Sequence, residues 1–277
     1  MLRMADIIAV GTLGDFVVLW GGRTVLDRTA AGRRAIVLFK ALLRRPGFRC
    51  SAEFLADEFW PDSVGIAART NVRVRLHELR AIFRRTMAQD ALPEPIRLES
   101  GMLFIDPVYG PVVDAIEFER EALALLDIGT SNTEFAGKAA ALLQYYGGEY
   151  LEGDRGEQTV SIRERLARLH RALHLRFARA LSAGSKAASA LDILSYAFER
   201  YAYDEAIAEE FVVRATLLGR RERARLALRQ QAISACADAS VRSRASALFA
   251  NVSAARSSAS NPASKASSSH KIVPRSI

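Results

Sequence analysis

The stretch Ala68-Arg69-Thr70-Asn71-Val72-Arg73-Val74-Arg75-Leu76-His77-Glu78-Leu79-Arg80-Ala81-Ile82-Phe83-Arg84-Arg85 decides how this chain is read. Val72, Leu76, Leu79 and Phe83 recur at intervals of four, three and four, which lines them up as one apolar stripe of an α-helix. Arg69, Arg73, Arg80 and Arg84 recur at four, seven and four. They form a second stripe beside the first, flanked by Thr70 and His77. The spacing predicts a helix over 67–85 with a buried back and a cationic, hydrogen-bonding front. Between Ile66 and Thr86 six arginines stand against the single acid Glu78.

The neighbouring segments give that helix a context. Ser51 is a plausible N-cap for a short helix that runs to Trp60, and Pro61-Asp62-Ser63 ends it. Upstream, Phe16 to Trp20 and Thr24 to Leu26 read as strands around the turn signal Gly21-Gly22. Downstream, Ile96-Arg97-Leu98 and Leu103-Phe104-Ile105 alternate around Ser100-Gly101, which predicts a β-hairpin directly after the long helix. Strands, three helices and a hairpin in that order are the order of a winged helix.

From Asp114 to about Ser234 strand signals vanish, and Ala, Leu, Glu and Arg dominate at helical spacing. Breaks at Gly129 to Asn132, Gly147 to Gly156, Ser182 to Ser185, Tyr203-Asp204 and Gly219 divide this region into helices, as a tetratricopeptide-like stack of helix pairs requires. From Val241 to the end, 11 of 37 residues are Ser, 8 are Ala and none is acidic. A disordered tail is expected there. The expected fold is mainly α with small β elements: a winged helix over 1–110, an all-α tetratricopeptide-like domain over 111–240 and a Ser/Ala-rich basic tail over 241–277.

Composition narrows the classes of function. The chain has 277 residues, half of them hydrophobic, and a net charge of +8. That charge divides into +4 over 1–110 (16 basic, 12 acidic), −2 over 111–240 (17 and 19) and +6 over 241–277 (6 and none). Bulk charge alone therefore does not select a nucleic acid as partner. The only cysteines, Cys50 and Cys236, supply neither a disulfide framework nor a Cys-rich metal site, which suits a reducing cytoplasm. No uncharged run approaches the roughly 20 residues of a spanning helix, so no membrane association is expected.

Position, rather than total charge, points to duplex DNA. Arginine pairs in a bidentate way with guanine or grips phosphate, and Asn does the same with adenine. The N-terminal half of a recognition helix usually reaches the bases. The candidate DNA-reading residues are Arg69, Thr70, Asn71, Arg73, His77, Arg80 and Arg84. Candidates for the phosphate backbone are Arg33, Arg34, Lys40, Arg44 and Arg45, on or before a first helix in the helical pattern that takes over after Leu26, with Arg97 on the hairpin. Arg44, Arg45 and Arg49 bracket Pro46-Gly47 as one cationic corner.

The chain resembles the bacterial transcriptional activator domain regulators, also called SARP-type or antibiotic regulatory proteins. The resemblance is carried by Leu13-Gly14-Asp15-Phe16, Arg45-Pro46-Gly47, Phe59-Trp60-Pro61-Asp62 and Ala68-Arg69-Thr70-Asn71-Val72-Arg73 with Leu76 and Leu79-Arg80. It continues through Val113-Asp114, Phe118-Glu119, Tyr146-Gly147-Gly148-Glu149-Tyr150-Leu151 and Gly219-Arg220-Arg221. Where that family has Gly-Gly-Tyr on the wing this chain has Glu99-Ser100-Gly101-Met102, and its Asp-Pro before a late helix is replaced by Tyr203-Asp204. The resemblance implies a response-regulator-type winged helix joined to a tetratricopeptide-like domain. It also implies that the loop with Trp60, Pro61, Asp62 and Ser63 faces RNA polymerase, and that the helical domain mediates homodimerisation or effector contacts. The function so implied is a sequence-specific transcription regulator, an activator acting on promoter DNA.

Catalysis finds little footing. There is no Gly-x-x-x-x-Gly-Lys-Ser/Thr loop, and Gly11-x-x-Gly14 does not open a helix as a dinucleotide fingerprint does. His170 and His174 stand one helical turn apart, but no catalytic Glu adjoins the first and no third ligand is evident, so they read as ordinary helix residues. No enzyme activity, cofactor or metal is expected. Strand signals begin at Ile7, so no phosphoacceptor receiver domain is expected ahead of the winged helix. One alternative stays open, a helical-repeat scaffold whose winged helix contacts protein and not DNA.

Overall fold

The structure, a computed structural model, describes residues 7–27, 33–63, 65–87, 94–127, 132–201 and 204–234. Cys236, the tail over 241–277 and the side chains of Arg33 and Arg34 lie outside the described residues. The fold is mainly α with small sheets, a winged helix followed by a tetratricopeptide-like run of helices, as the sequence pattern predicts.

Three strands open the chain: β1 (Ile8–Gly11), β2 (Val17–Trp20) and β3 (Arg23–Asp27). Next come α1 (Arg33–Leu43), β4 (Arg49–Ser51), α2 (Ala52–Phe59) and α3 (Ile66–Thr86), then β5 (Ile96–Glu99), β6 (Met102–Ile105) and β7 (Val112–Val113). The first sheet has the order β3-β2-β1-β7, with β7 parallel to β1. The second has the order β4-β6-β5, and its β5–β6 hairpin is the wing. At the tip Ser100 (φ 48°) and Gly101 (φ 80°) both adopt positive φ, the requirement of a two-residue turn matched to strand twist. Ser51 caps α2 by accepting from the Phe54 N–H at 3.1 Å, as its position before the helix predicts.

The helical region comprises α4 (Asp114–Asp127), α5 (Asn132–Tyr145), α6 (Glu157–Ala183), α7 (Ala187–Arg200), α8 (Glu205–Leu217) and α9 (Arg221–Ser234). By packing, the chain divides into two compact units, 1–173 and 174–277. The first unit thus holds the winged helix together with α4, α5 and most of α6. Its core carries an aromatic succession in which Phe39 lies 6.5 Å from Phe16 and 5.8 Å from Phe83. Farther along, Phe118 meets Tyr146 at 4.8 Å, and Tyr146 stacks on His170 at 4.2 Å.

A second set of ties in this unit lies far apart in sequence. Asp114 accepts the backbone N–H groups of Thr12 (2.8 Å) and Leu13 (2.9 Å), the Thr12 hydroxyl and its neighbour Ala115 N–H (2.7 Å). Leu13 bridges to Tyr150, the Gly14 N–H donates to Glu149 O at 3.0 Å, and the Leu151 N–H donates to Thr12 O at 2.8 Å. Gly148 allows this approach, because a Cβ there would lie 2.6 Å from the Gly14 Cα. The segment Gly147 to Leu151, placed by pattern among helix breaks, therefore pairs with Thr12 to Gly14.

In the second unit α7 packs on α8 and α8 on α9 around Leu191, Leu194, Phe198, Ile207, Phe211 and Val212. Phe198 and Phe211 stack at 5.5 Å. His174 is 2% exposed, with Tyr196 at 5.6 Å. Burial, helped by the Arg200 cation, pushes its pKa down to about 4 from an ordinary 6.5. A histidine held neutral in the fold but free to protonate when unfolded favours unfolding in acid. Stability of this unit is therefore expected to be full above pH 6.5, to fall as pH drops from 6.5 to 4 and to level off below. At 1.36 kcal/mol per pH unit the interval amounts to at most about 3 kcal/mol. Urea unfolding from pH 7 to pH 4 should show this decline, and His174→Phe should remove most of it.

Candidate nucleic-acid interface

The placement of α3 follows from its two faces. Ala68, Val72, Leu76, Leu79, Ile82 and Phe83 are buried, and α1 and α2 both pack against the helix. Gly65 at φ 61° opens α3 after the Trp60–Ser63 turn, while Arg84 and Arg85 occupy the last turn, where cations complement the helix dipole. On the opposite face Arg69, Thr70, Arg73, Val74 and His77 are exposed.

The predicted cations on α3 divide into two groups. Arg73 and His77 are exposed and, among the described residues, take neither an ion-pair nor a hydrogen-bond partner. Arg69 pairs loosely with Glu53 at 3.7 Å, both side chains being mostly exposed, a contact that contributes at most about 1 kcal/mol. Arg80 is held instead: its Nε donates to Ile96 O at 2.8 Å, and Glu94 lies 3.7 Å away. Arg84 Nε donates to the same Glu94 at 2.8 Å. One carboxylate thus offsets two of the four stripe arginines. Asn71 is half-buried on the flank shared with Arg75 and Glu78, which pair with each other at 2.6 Å.

The backbone candidates fare differently again. Lys40 lies 3.1 Å from Asp154 and over the Phe16 ring at 4.8 Å. The Arg44 side chain is 7% exposed, donates to Glu58 at 2.8 Å and reaches the Thr159 hydroxyl at 3.3 Å. These two tie α1 to the segment around Asp154 and to the start of α6. Arg45 lies over the Phe54 ring at 4.1 Å. Arg97 bonds Asp106 at 3.0 Å and also Glu99. Burial would raise the Asp106 carboxyl, but the Val108 N–H and the Arg97 guanidinium outweigh it and hold the group below the usual carboxylate range. Arg49 and Arg85 are exposed and, among the described residues, without such partners. In the turn before α3, Pro61 and Asp62 are exposed, the Trp60 ring lies 6.0 Å from Phe59 and the Ser63 N–H donates to Trp60 O at 2.9 Å.

Cys50 is buried, and that burial raises its thiol pKa, the reverse of what an activated nucleophile needs. Among the described residues no three His, Cys, Asp or Glu side chains are placed to hold a metal ion, and no described helix is long and apolar enough to cross a membrane. A cavity of about 670 Å³ opens between α4 and α5 over Leu125 and Leu142. Glu117 and Glu121 on its rim share Arg120.

No protein-family model matches the chain, and no curated protein matches it in sequence. Among solved structures it is similar to Mycobacterium tuberculosis EmbR, determined in complex with a low-affinity phosphopeptide. The TM-score is 0.64 at 15% identity, over 91% of this chain and 69% of that one. At that identity the likeness is one of fold, and it extends across most of this chain. The C-terminal TPR-containing domain of a Plasmodium falciparum FK506-binding protein matches 52% of this chain and 91% of its own at 14% identity, with a TM-score of 0.34 too low to bear on the architecture.

Proposed function

We propose that the protein is a sequence-specific DNA-binding transcription regulator that places α3 in the major groove. The observation that carries this reading is the outer face of α3. On the third helix of a winged helix, Arg73 and His77 stand exposed and, among the described residues, without internal partners, with Arg69 only loosely paired. A solvated charged face would be the ordinary alternative. The hairpin that follows α3 and the short helix that precedes it are the parts that present such a face to a groove and a phosphate backbone.

Within this proposal Arg69, Arg73 and His77 meet bases or nearby phosphates, while Arg49 and Arg85 join the phosphate contacts. Lys40 and Arg44 serve as internal ties, Arg80 and Arg84 share Glu94, and Arg97 stays with Asp106 and Glu99. Activation follows from the family resemblance, with Trp60, Pro61, Asp62 and Ser63 offered to RNA polymerase and the helical domain used for self-association. Selection of duplexes from a random-sequence library with the full chain tests the reading. One enriched sequence is expected, and its affinity should fall with salt at a slope of about −0.9 per phosphate neutralised. Absence of both enrichment and retention at low salt would favour the scaffold alternative.

A further inference from the structure

The outer face of α3 carries an apolar ridge as well as its cations. Ile66 is 86% exposed and Val74 42%, and exposed Thr70 stands between them. At intervals of four, the three align along one line of the helix. The Thr70 hydroxyl donates to Ile66 O at 2.8 Å, so its proton is committed to the helix, and its methyl group adds to the apolar line. A single exposed apolar side chain needs no explanation. Three in register on the half of the helix that enters first are a shaped surface.

The charges around the ridge select what covers it. Arg69, Arg73 and His77 flank it. An apolar protein surface laid over the ridge would strip water from those cations without giving them partners, which is costly. A duplex offers phosphates and base acceptors to the cations while presenting an apolar group to the ridge. In the major groove that group is the C5-methyl of thymine.

Resting on the DNA-binding reading above, we propose that Ile66, Thr70 and Val74 form a thymine-reading ridge, so that the protein selects its sites partly through thymine methyl groups beside the positions read by arginine. The test uses the sequence enriched from a random duplex library by the full chain. Each thymine in turn is replaced by uracil, which removes the methyl and leaves every hydrogen-bonding group in place. At one or more positions the replacement is expected to weaken binding roughly fourfold, the effect of one buried methyl-sized group. That penalty should disappear in Val74→Ala or Ile66→Ala, whose side chains are exposed and leave the core untouched.

The proposal is overturned if the enriched site holds no thymine, if no uracil substitution weakens binding, or if the penalties persist unchanged in both variants. In each of these results the wild-type chain still holds its selected duplex, so the DNA-binding reading stands while the ridge falls. Failure to enrich any sequence overturns both.

Discussion

Replacing Asp114 by alanine is expected to lower the melting temperature of the full chain by roughly 6–12 °C. The carboxylate accepts from the Thr12 N–H, the Leu13 N–H, the Thr12 hydroxyl and the Ala115 N–H, and Thr12 and Leu13 are buried. Alanine leaves at least two buried donors unanswered, at about 1–3 kcal/mol each, for a loss near 3 kcal/mol. For a unit of this size each kcal/mol shifts the melting temperature by about 2–4 °C. The substitution Asp114→Asn keeps one acceptor oxygen and should recover part of the loss. Glu121→Ala, which removes an exposed carboxylate on the same helix, should change stability by less than about 0.5 kcal/mol. Differential scanning calorimetry of the three variants separates these outcomes, and equal melting of the Asp114→Ala and Glu121→Ala variants would remove Asp114 from its place as the tie between β1 and α4.

That tie also shows where sequence reading ends. Periodicity is a local property, and it locates the strands around Gly21-Gly22, the hairpin around Ser100-Gly101, the Ser51 cap and the buried stripe of α3. The partners of Asp114 lie about a hundred residues away, and those of Gly14 still farther. Nothing in the spacing of Leu13-Gly14 or of Gly147-Gly148 says that the two segments meet. The same limit governs the cations. Lys40 and Arg44 read as candidates for the phosphate backbone because their partners, Asp154, Glu58 and Thr159, are distant in the chain or on another helix. Arg80 and Arg84 belong to the predicted stripe, yet Glu94, just before the wing, draws on both. The ridge of Ile66, Thr70 and Val74 is hidden for another reason. Ile66 and Val74 are apolar residues on the cationic side of α3, outside the buried stripe that helical periodicity picks out.

Arg73→Ala is expected to weaken binding to the selected duplex by about 1–3 kcal/mol, or roughly 5- to 150-fold, while leaving the fold intact. Two features set the expectation. Arg73 is exposed and, among the described residues, unpartnered, so its removal opens no cavity and leaves no carboxylate stranded. It also stands on the N-terminal half of α3, between the ridge and Arg69, the part of a recognition helix that usually meets base edges. A phosphate contact behaves differently. Arg49→Ala should weaken selected and unrelated duplexes alike and reduce the salt slope by about one unit.

The most direct test of the central claim, that the outer face of α3 reads DNA sequence, is therefore a ratio. Dissociation constants for the selected duplex and a shuffled duplex of equal length are measured at one salt concentration, for the wild-type chain and for Arg73→Ala, with melting curves run on both proteins. In the variant the ratio of shuffled to selected dissociation constants should collapse toward one while the melting temperature is unchanged. A variant that melts like the wild type and keeps the full ratio would contradict the claim.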